Sequence, residues 1–261
     1  MTEPILQTPI DRAHAAMEEG GHSDRAQFFD RVAEAELFLW LEAEPEGERV
    51  NPRIFPVEGA AHVLAFDTED RLSDFAEQQA PYVALSGRVL AGMLAGQGIG
   101  LGLNLGAPSA ILLPPDAMDW LAGALGEGPD EREAVVAWYE APRDVPKELL
   151  RSLDAKLAAA AGLAEVAWLA SVGYEDGGRG HMLAFGGAVP GAEAALARAM
   201  GEALTFSGLE AGALDVAFLP PGDGRLERIA KVGVRIDIPR RAARAAPGAP
   251  GSDPAKPPRL R

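Results

Sequence analysis

The stretch Gly96-Gln97-Gly98-Ile99-Gly100-Leu101-Gly102-Leu103-Asn104-Leu105-Gly106 constrains this chain more than any other. Its glycines recur at every second position through most of its length. In an extended strand alternate side chains point to opposite faces, so Gly98, Gly100 and Gly102 line one face and Ile99, Leu101, Leu103 and Leu105 the other. A face without side chains admits close approach. Two uses fit: tight packing of the protein's own helix, or a docking groove for a partner. Under the second, Gly98, Gly100, Gly102 and Asn104 are the candidate partner-binding residues. A phosphate loop is excluded by spacing. The residues five after Gly96, Gly98 and Gly100 are all leucines, and no G-K-[ST] follows.

The segments around this strand alternate between strand and helix patterns. Thr8–Gly20 carries Ile10, Ala13, His14 and Met17 at helical spacing. Ser23 or Asp24 is positioned to cap the next helix, whose inner stripe is Phe28, Val32 and Ala35. Leu37–Leu41 is apolar on both faces, as a covered strand requires. Ala61–Phe66, Tyr82-Val83 and Ala110–Leu113 read as further strands. Helices start at Thr68 or Asp67, at Ser86, and at Pro114-Pro115-Asp116, where proline suits the first turn. After a turn-rich joint, Pro146–Ala161 reads as a helix, Val166–Val172 and His181–Phe185 as a hairpin about Asp176-Gly177-Gly178, and Gly191–Phe206 as a helix. Leu214–Leu219 is a strand, while Arg225–Ile238 fits either a helix or a strand. The fold class expected is α/β to α+β, with a mixed, helix-packed N-terminal sheet and a smaller α-β-β-α-β unit. That second unit is expected to be antiparallel with its helices on one face. The expected domains are 8–126, a linker with a possible strand over 127–145, a C-terminal domain over 146–238 and a disordered basic tail over 239–261.

Charge and composition narrow the function. The 261 residues include 24 Lys+Arg and 39 Asp+Glu, a net charge of −15, and no cysteine. Thiolate metal sites, disulfides and a cysteine nucleophile are therefore excluded. The tail holds six basic residues and one acid, so the body is −20 and repels nucleic-acid backbones and anionic membranes. Neither a secretory leader nor an apolar run long enough to span a bilayer is seen, so a cytoplasmic location is expected.

No chemical motif emerges. His14, His22, His62 and His181 lack metal-ligand spacing, and no serine sits in a G-x-S-x-G elbow. Glu42, Glu44, Glu46 and Glu48 could crowd round a divalent cation, although alternation along a loop reads more simply as a solvated acidic face. Trp40, Trp120, Trp138 and Trp168 lie in apolar patterns and read as core anchors. No catalytic, cofactor-binding or metal-binding residue is assigned.

The run Asp24–Trp40 resembles the opening helix and strand of the SseB family, the enhanced serine sensitivity proteins. Val63–Phe66 followed by Asp67-Thr68-Glu69-Asp70-Arg71-Leu72, then Pro81-Tyr82-Val83, Leu101–Asn104 and Leu112-Leu113-Pro114, are similar to its later elements in order. Pro146–Leu157 and Ala167–Ala170 look like the start of its C-terminal domain. The resemblance implies a two-domain protein with no established catalytic residue. The expected function is a non-enzymatic binding or regulatory protein acting on a protein partner of unknown identity. The alternatives are a small-molecule enzyme with a carboxylate or histidine site, and a secretion-associated, chaperone-like factor.

Overall fold

The strand segments sort into two sheets, one built from strands up to Leu113 and the other from strands starting at Val136. The computed structural model describes residues 7–45, 50–57, 59–77, 79–126, 134–208 and 214–240. In the first half, α1 (Pro9–Glu19) starts at Thr8, whose hydroxyl accepts the Asp11 amide at 3.1 Å while the Asp11 carboxylate accepts the Thr8 amide at 3.0 Å. This reciprocal cap satisfies two amides that a helix start leaves open. α2 (His22–Glu34) starts earlier than the sequence reading placed it. Gly21 is its cap residue, and Asp24 acts from the third helical position by accepting the Gly21 amide at 3.0 Å.

The next elements are β1 (Glu36–Trp40), β2 (Ile54–Val57), β3 (Ala60–Phe66), α3 (Glu69–Ala76), β4 (Tyr82–Ser86), α4 (Gly87–Leu94), β5 (Ile99–Leu103), β6 (Ile111–Leu113) and α5 (Pro115–Gly126). The sheet order is β4-β1-β3-β5-β6, with β2 also paired to β3. β3 and β5 run parallel, and the other pairs are antiparallel. β2 was not foreseen, because Pro56 sits within it and proline marks strand edges rather than interiors. One sheet face, with Leu39, Val63, Ala65, Leu101 and Leu103, packs on α1, α2, α4 and α5. The opposite face carries Trp40, Leu64 and Phe66 beneath Leu72 of α3.

The second half contains β7 (Val136–Glu140), α6 (Lys147–Ala159), β8 (Val166–Tyr174), β9 (Arg179–Gly186), α7 (Glu193–Thr205), β10 (Leu214–Leu219), α8 (Gly224–Ala230) and β11 (Val234–Asp237). The β8–β9 hairpin turns through Gly177 at φ +88°, as its Asp-Gly pair predicts. Two expectations change. β10 pairs parallel to β9, because α7 carries the chain back across the sheet before β10 begins. Helices also cover both faces: α6 and α7 lie against Ala167, Leu169 and Phe185, while Ile229 of α8 packs with Val172 and Ala184. β8 is apolar on both sides and needs both covers. The ambiguous 225–238 segment is a helix followed by a strand, so both patterns in it were real.

The two halves are not separate in their cores. Phe206, at the end of α7, is fully buried in the first half's apolar cluster with Phe28 and Phe29. Trp120 of α5 meets it edge-on with ring centroids 6.0 Å apart. Trp120 is itself 47% exposed, so it is not the core anchor its pattern suggested. Trp138 and Trp168 are half-buried, with Arg179 and Arg235 laid over their rings at 5.6 and 5.7 Å. Replacing Phe206 with alanine empties this socket. Urea unfolding should show a loss of about 3–5 kcal/mol, and a loss below about 1 kcal/mol would mean that the socket closes without it.

Candidate functional site

The glycine-rich strand is filled from within. β5 begins at Ile99, so Gly98 lies in the preceding turn, exposed and at φ +66°. Gly100 pairs with His62 and Gly102 with Leu64 on the parallel neighbour β3. A Cβ on Gly100 would stand 2.5 Å from the Leu113 carbonyl oxygen and 2.6 Å from the His62 ring. One on Gly102 would stand 2.5 Å from a Leu64 methyl. The close approach that these glycines permit is that of the adjoining strands' own atoms. Asn104 is fully buried. Three of the four residues expected to contact a partner, Gly100, Gly102 and Asn104, are thus covered by the protein itself and present no open docking face.

Asn104 belongs to a polar network at the carboxyl ends of β3 and β5, the position where parallel strands commonly bind ligands. It adopts φ +52°, which asparagine tolerates better than most residues. Its Oδ1 accepts the Asp67 amide at 2.9 Å, and its Nδ2 donates to Ser109 Oγ at 2.9 Å. Ser109 donates to Asp11 Oδ1 at 2.5 Å. Arg71 donates to Asp11 Oδ2 at 2.5 Å and to Asp67 Oδ1 at 2.7 Å, and Thr8 Oγ1 donates to Asp67 Oδ2 at 2.6 Å. The network ties the starts of α1 and α3 to the β5–β6 connection. Burial alone would raise the Asp11 pKa, but hydrogen bonds from Arg71, Ser109 and the Thr8 amide, with the Arg71 charge, outweigh it. The carboxyl is held at about 2.

A second network joins the two halves. Lys156 of α6, its side chain 3% exposed, donates to Asp30 at 2.6 Å, Glu34 at 2.5 Å and Glu202 at 3.1 Å. An ammonium has three N–H groups, so it is saturated. Arg88 of α4 grips Glu202 of α7 through two bonds, at 2.9 and 3.0 Å. The carboxylates of Asp30, Glu34 and Glu202 lie close enough together to surround a metal ion. The lysine ammonium takes that central place. Burial opposes charge on Lys156, yet Asp30 and Glu34 hold its pKa above the ordinary value. A lysine kept protonated in this way is a poor nucleophile. Burial would raise Glu202, but Arg88 and Lys156 hold it down; for Asp30 burial wins, and its pKa is raised. Sequence reading missed this cluster because bonded partners such as Lys156 and Asp30 stand 126 positions apart and obey no motif.

The four histidines are dispersed. His62 is buried over Gly100, with Nδ1 3.3 Å from the Ala60 carbonyl. His181 Nε2 is 2.9 Å from the Arg143 carbonyl, and the His14 ring meets Phe28 edge-on. His22 lines a cleft of about 540 Å³ with Met17, Arg25, Phe29, Ile111 and Leu113. Glu42 and Glu44 are exposed, while Glu46 and Glu48 lie outside the described residues. Among the described residues, no helix is long and apolar enough to cross a membrane.

Residues 10–120 match the family described as SseB protein N-terminal domain. That span takes in β1 to β6 and, from the two networks, Asp11, Asp67, Arg71, Asn104, Ser109, Asp30, Glu34 and Arg88. Searches of curated proteins and of solved structures gave no match.

Three measurements test this geometry. Gly100→Ala forces a side chain against a backbone oxygen and should lower unfolding stability by about 1–3 kcal/mol; an unchanged value would mean that the strands separate freely. Lys156→Met leaves three carboxylates without their central cation. It should cost about 3–5 kcal/mol at neutral pH, with the deficit shrinking on acidification as the crowded carboxylates take up protons. A deficit independent of pH would contradict the cluster. Asp11 is depressed on folding, so its stabilisation is present above the ordinary carboxylate pKa of 3.8 and is lost as pH falls through about 2. Asp11→Asn should flatten that part of the acid stability profile, and an unchanged slope would refute the assignment.

Proposed function

We propose that this chain is a non-enzymatic binding or regulatory protein that acts through contacts with another protein, in a cytoplasmic setting. In this reading residues 8–126 form an SseB-type N-terminal domain, 127–145 a joint, 146–238 the corresponding C-terminal domain and 239–261 a basic appendage. The observation that carries the reading is how Asp11, Lys156 and Glu202, all buried, are used. Each is bonded to partners from other elements in a network that ties those elements together. An active centre instead keeps an acid, base or nucleophile available to a substrate. The match over residues 10–120 and the absence of a catalytic motif in the sequence support the same conclusion.

The negative body favours a partner with a basic patch, since complementary charge speeds encounter and selects orientation. Affinity capture of the full chain from its native host, read by mass spectrometry with and without residues 239–261, tests the proposal. One or a few proteins should be enriched reproducibly. Failure to enrich any protein, together with a melting-temperature rise on adding one metabolite from a panel, would overturn the proposal in favour of an enzyme.

A further inference from the structure

We propose that the cleft walled by the end of α1, the start of α2 and the edge strand β6 binds a small zwitterion with an apolar body. A free amino acid with an apolar side chain is that class of molecule. This ligand is additional to the protein partner proposed above, and neither requires the other.

The turn between the two helices makes the space. α1 ends at Glu19 and α2 starts at His22, so only Gly20 and Gly21 join them. Both glycines line the cleft and put no side chain into it. Gly20 is required by its surroundings, because a Cβ there would stand 2.6 Å from the Ala16 carbonyl oxygen. Gly21 is not, since a Cβ there meets nothing within 4 Å. Met17, Phe29, Ile111 and Leu113 supply the apolar lining, and the volume is about 540 Å³. Small-molecule sites commonly enclose about 300–1,000 Å³ and are mostly apolar, with a few polar groups that set orientation.

Three polar side chains supply those groups here. Glu18 comes from the last turn of α1, and His22 and Arg25 lie one turn apart on α2; all three are exposed. Arg25 stands out within the first half. Residues 7–126 contain no lysine. Every other described arginine among them is committed to a carboxylate, a carbonyl or an aromatic ring. Among the described residues the Arg25 guanidinium has no hydrogen bond, ion pair or ring contact, and Glu18 pairs neither with it nor with another cation. Two opposite charges therefore stand unpaired on one cleft, one from each helix.

This pair of charges selects the ligand. A free anion would meet Glu18 and a chain of net charge −15, and a free cation would meet Arg25. A zwitterion satisfies both side chains and carries no net charge for the acidic body to repel. Its carboxylate suits the planar fork of Arg25, which can donate two parallel hydrogen bonds, with a His22 ring N–H as a further donor. Its ammonium suits Glu18. The apolar lining takes its side chain, and that burial supplies the free energy that exposed ion pairs do not.

Isothermal titration calorimetry of the full chain with L-leucine tests the site. L-leucine should bind at millimolar concentration, and no detectable binding there would overturn the proposal. Glycine lacks the apolar body, isocaproate lacks the ammonium and isoamylamine lacks the carboxylate; each should bind about tenfold more weakly or worse. Arg25→Gln and Glu18→Gln should each weaken leucine binding about tenfold, a difference of about 1.4 kcal/mol, with an unchanged circular dichroism spectrum. Lys231→Gln makes the same charge change as Arg25→Gln on the second half and should bind as the parent does. Parent-like binding by both cleft variants would overturn the location. Isocaproate binding as tightly as leucine would overturn the zwitterion in favour of a simple carboxylate, and glycine doing so would overturn the apolar body.

Discussion

A protonated lysine held among three carboxylates is the interaction on which the arrangement of this protein depends. Lys156 comes from the second half; Asp30 and Glu34 come from the first, and Glu202 from the second. Taking such charges out of water costs several kcal/mol per ion, and only multiple short contacts offset it. The cluster meets that condition because Arg88 adds a second cation and two further bonds. Burial of Asp30 nevertheless outweighs the Lys156 contacts there, and its pKa is raised. Buried ion clusters contribute weakly to stability but penalise misplacement strongly. This one therefore specifies how α6 and α7 sit against α2 and α4, while Phe206 in its apolar socket supplies burial free energy.

The Asp11–Arg71–Asp67–Asn104–Ser109 network plays the same role within the first half. It occupies the strand ends where an α/β protein could bind a ligand, and its own side chains take up those positions. The glycines of β5 follow a related logic. They let His62, Leu64 and the Leu113 carbonyl close over the strand, so a feature suggestive of binding serves packing instead.

Much of the fold was legible because local patterns agreed with the tertiary result. The helical spacing of Ile10, Ala13, His14 and Met17, the two-faced apolar run Leu37–Leu41 and the Asp-Gly turn before β9 each demand one local structure. The misreadings came where local pattern was silent. Nothing near Leu214 states whether β10 runs parallel or antiparallel to β9; the path of α7 decides that. Pro56 disguised β2, and Trp120 looked like a core residue although only one side of it packs, against Phe29 and Phe206. The charge clusters were invisible for a stronger reason. Lys156 and its partners have no common spacing, and each alone reads as one more charged residue on an amphipathic helix.

The central claim is that buried charge in this molecule holds the two halves together rather than serving chemistry. A double-mutant cycle on Lys156 and Asp30, read by urea unfolding of Lys156→Met, Asp30→Asn and the combined variant, measures it directly. Contact across the halves should appear as a coupling of about 1–3 kcal/mol. A coupling within about 0.3 kcal/mol of zero would mean that the halves are held by other means and that Lys156 is free for a different role.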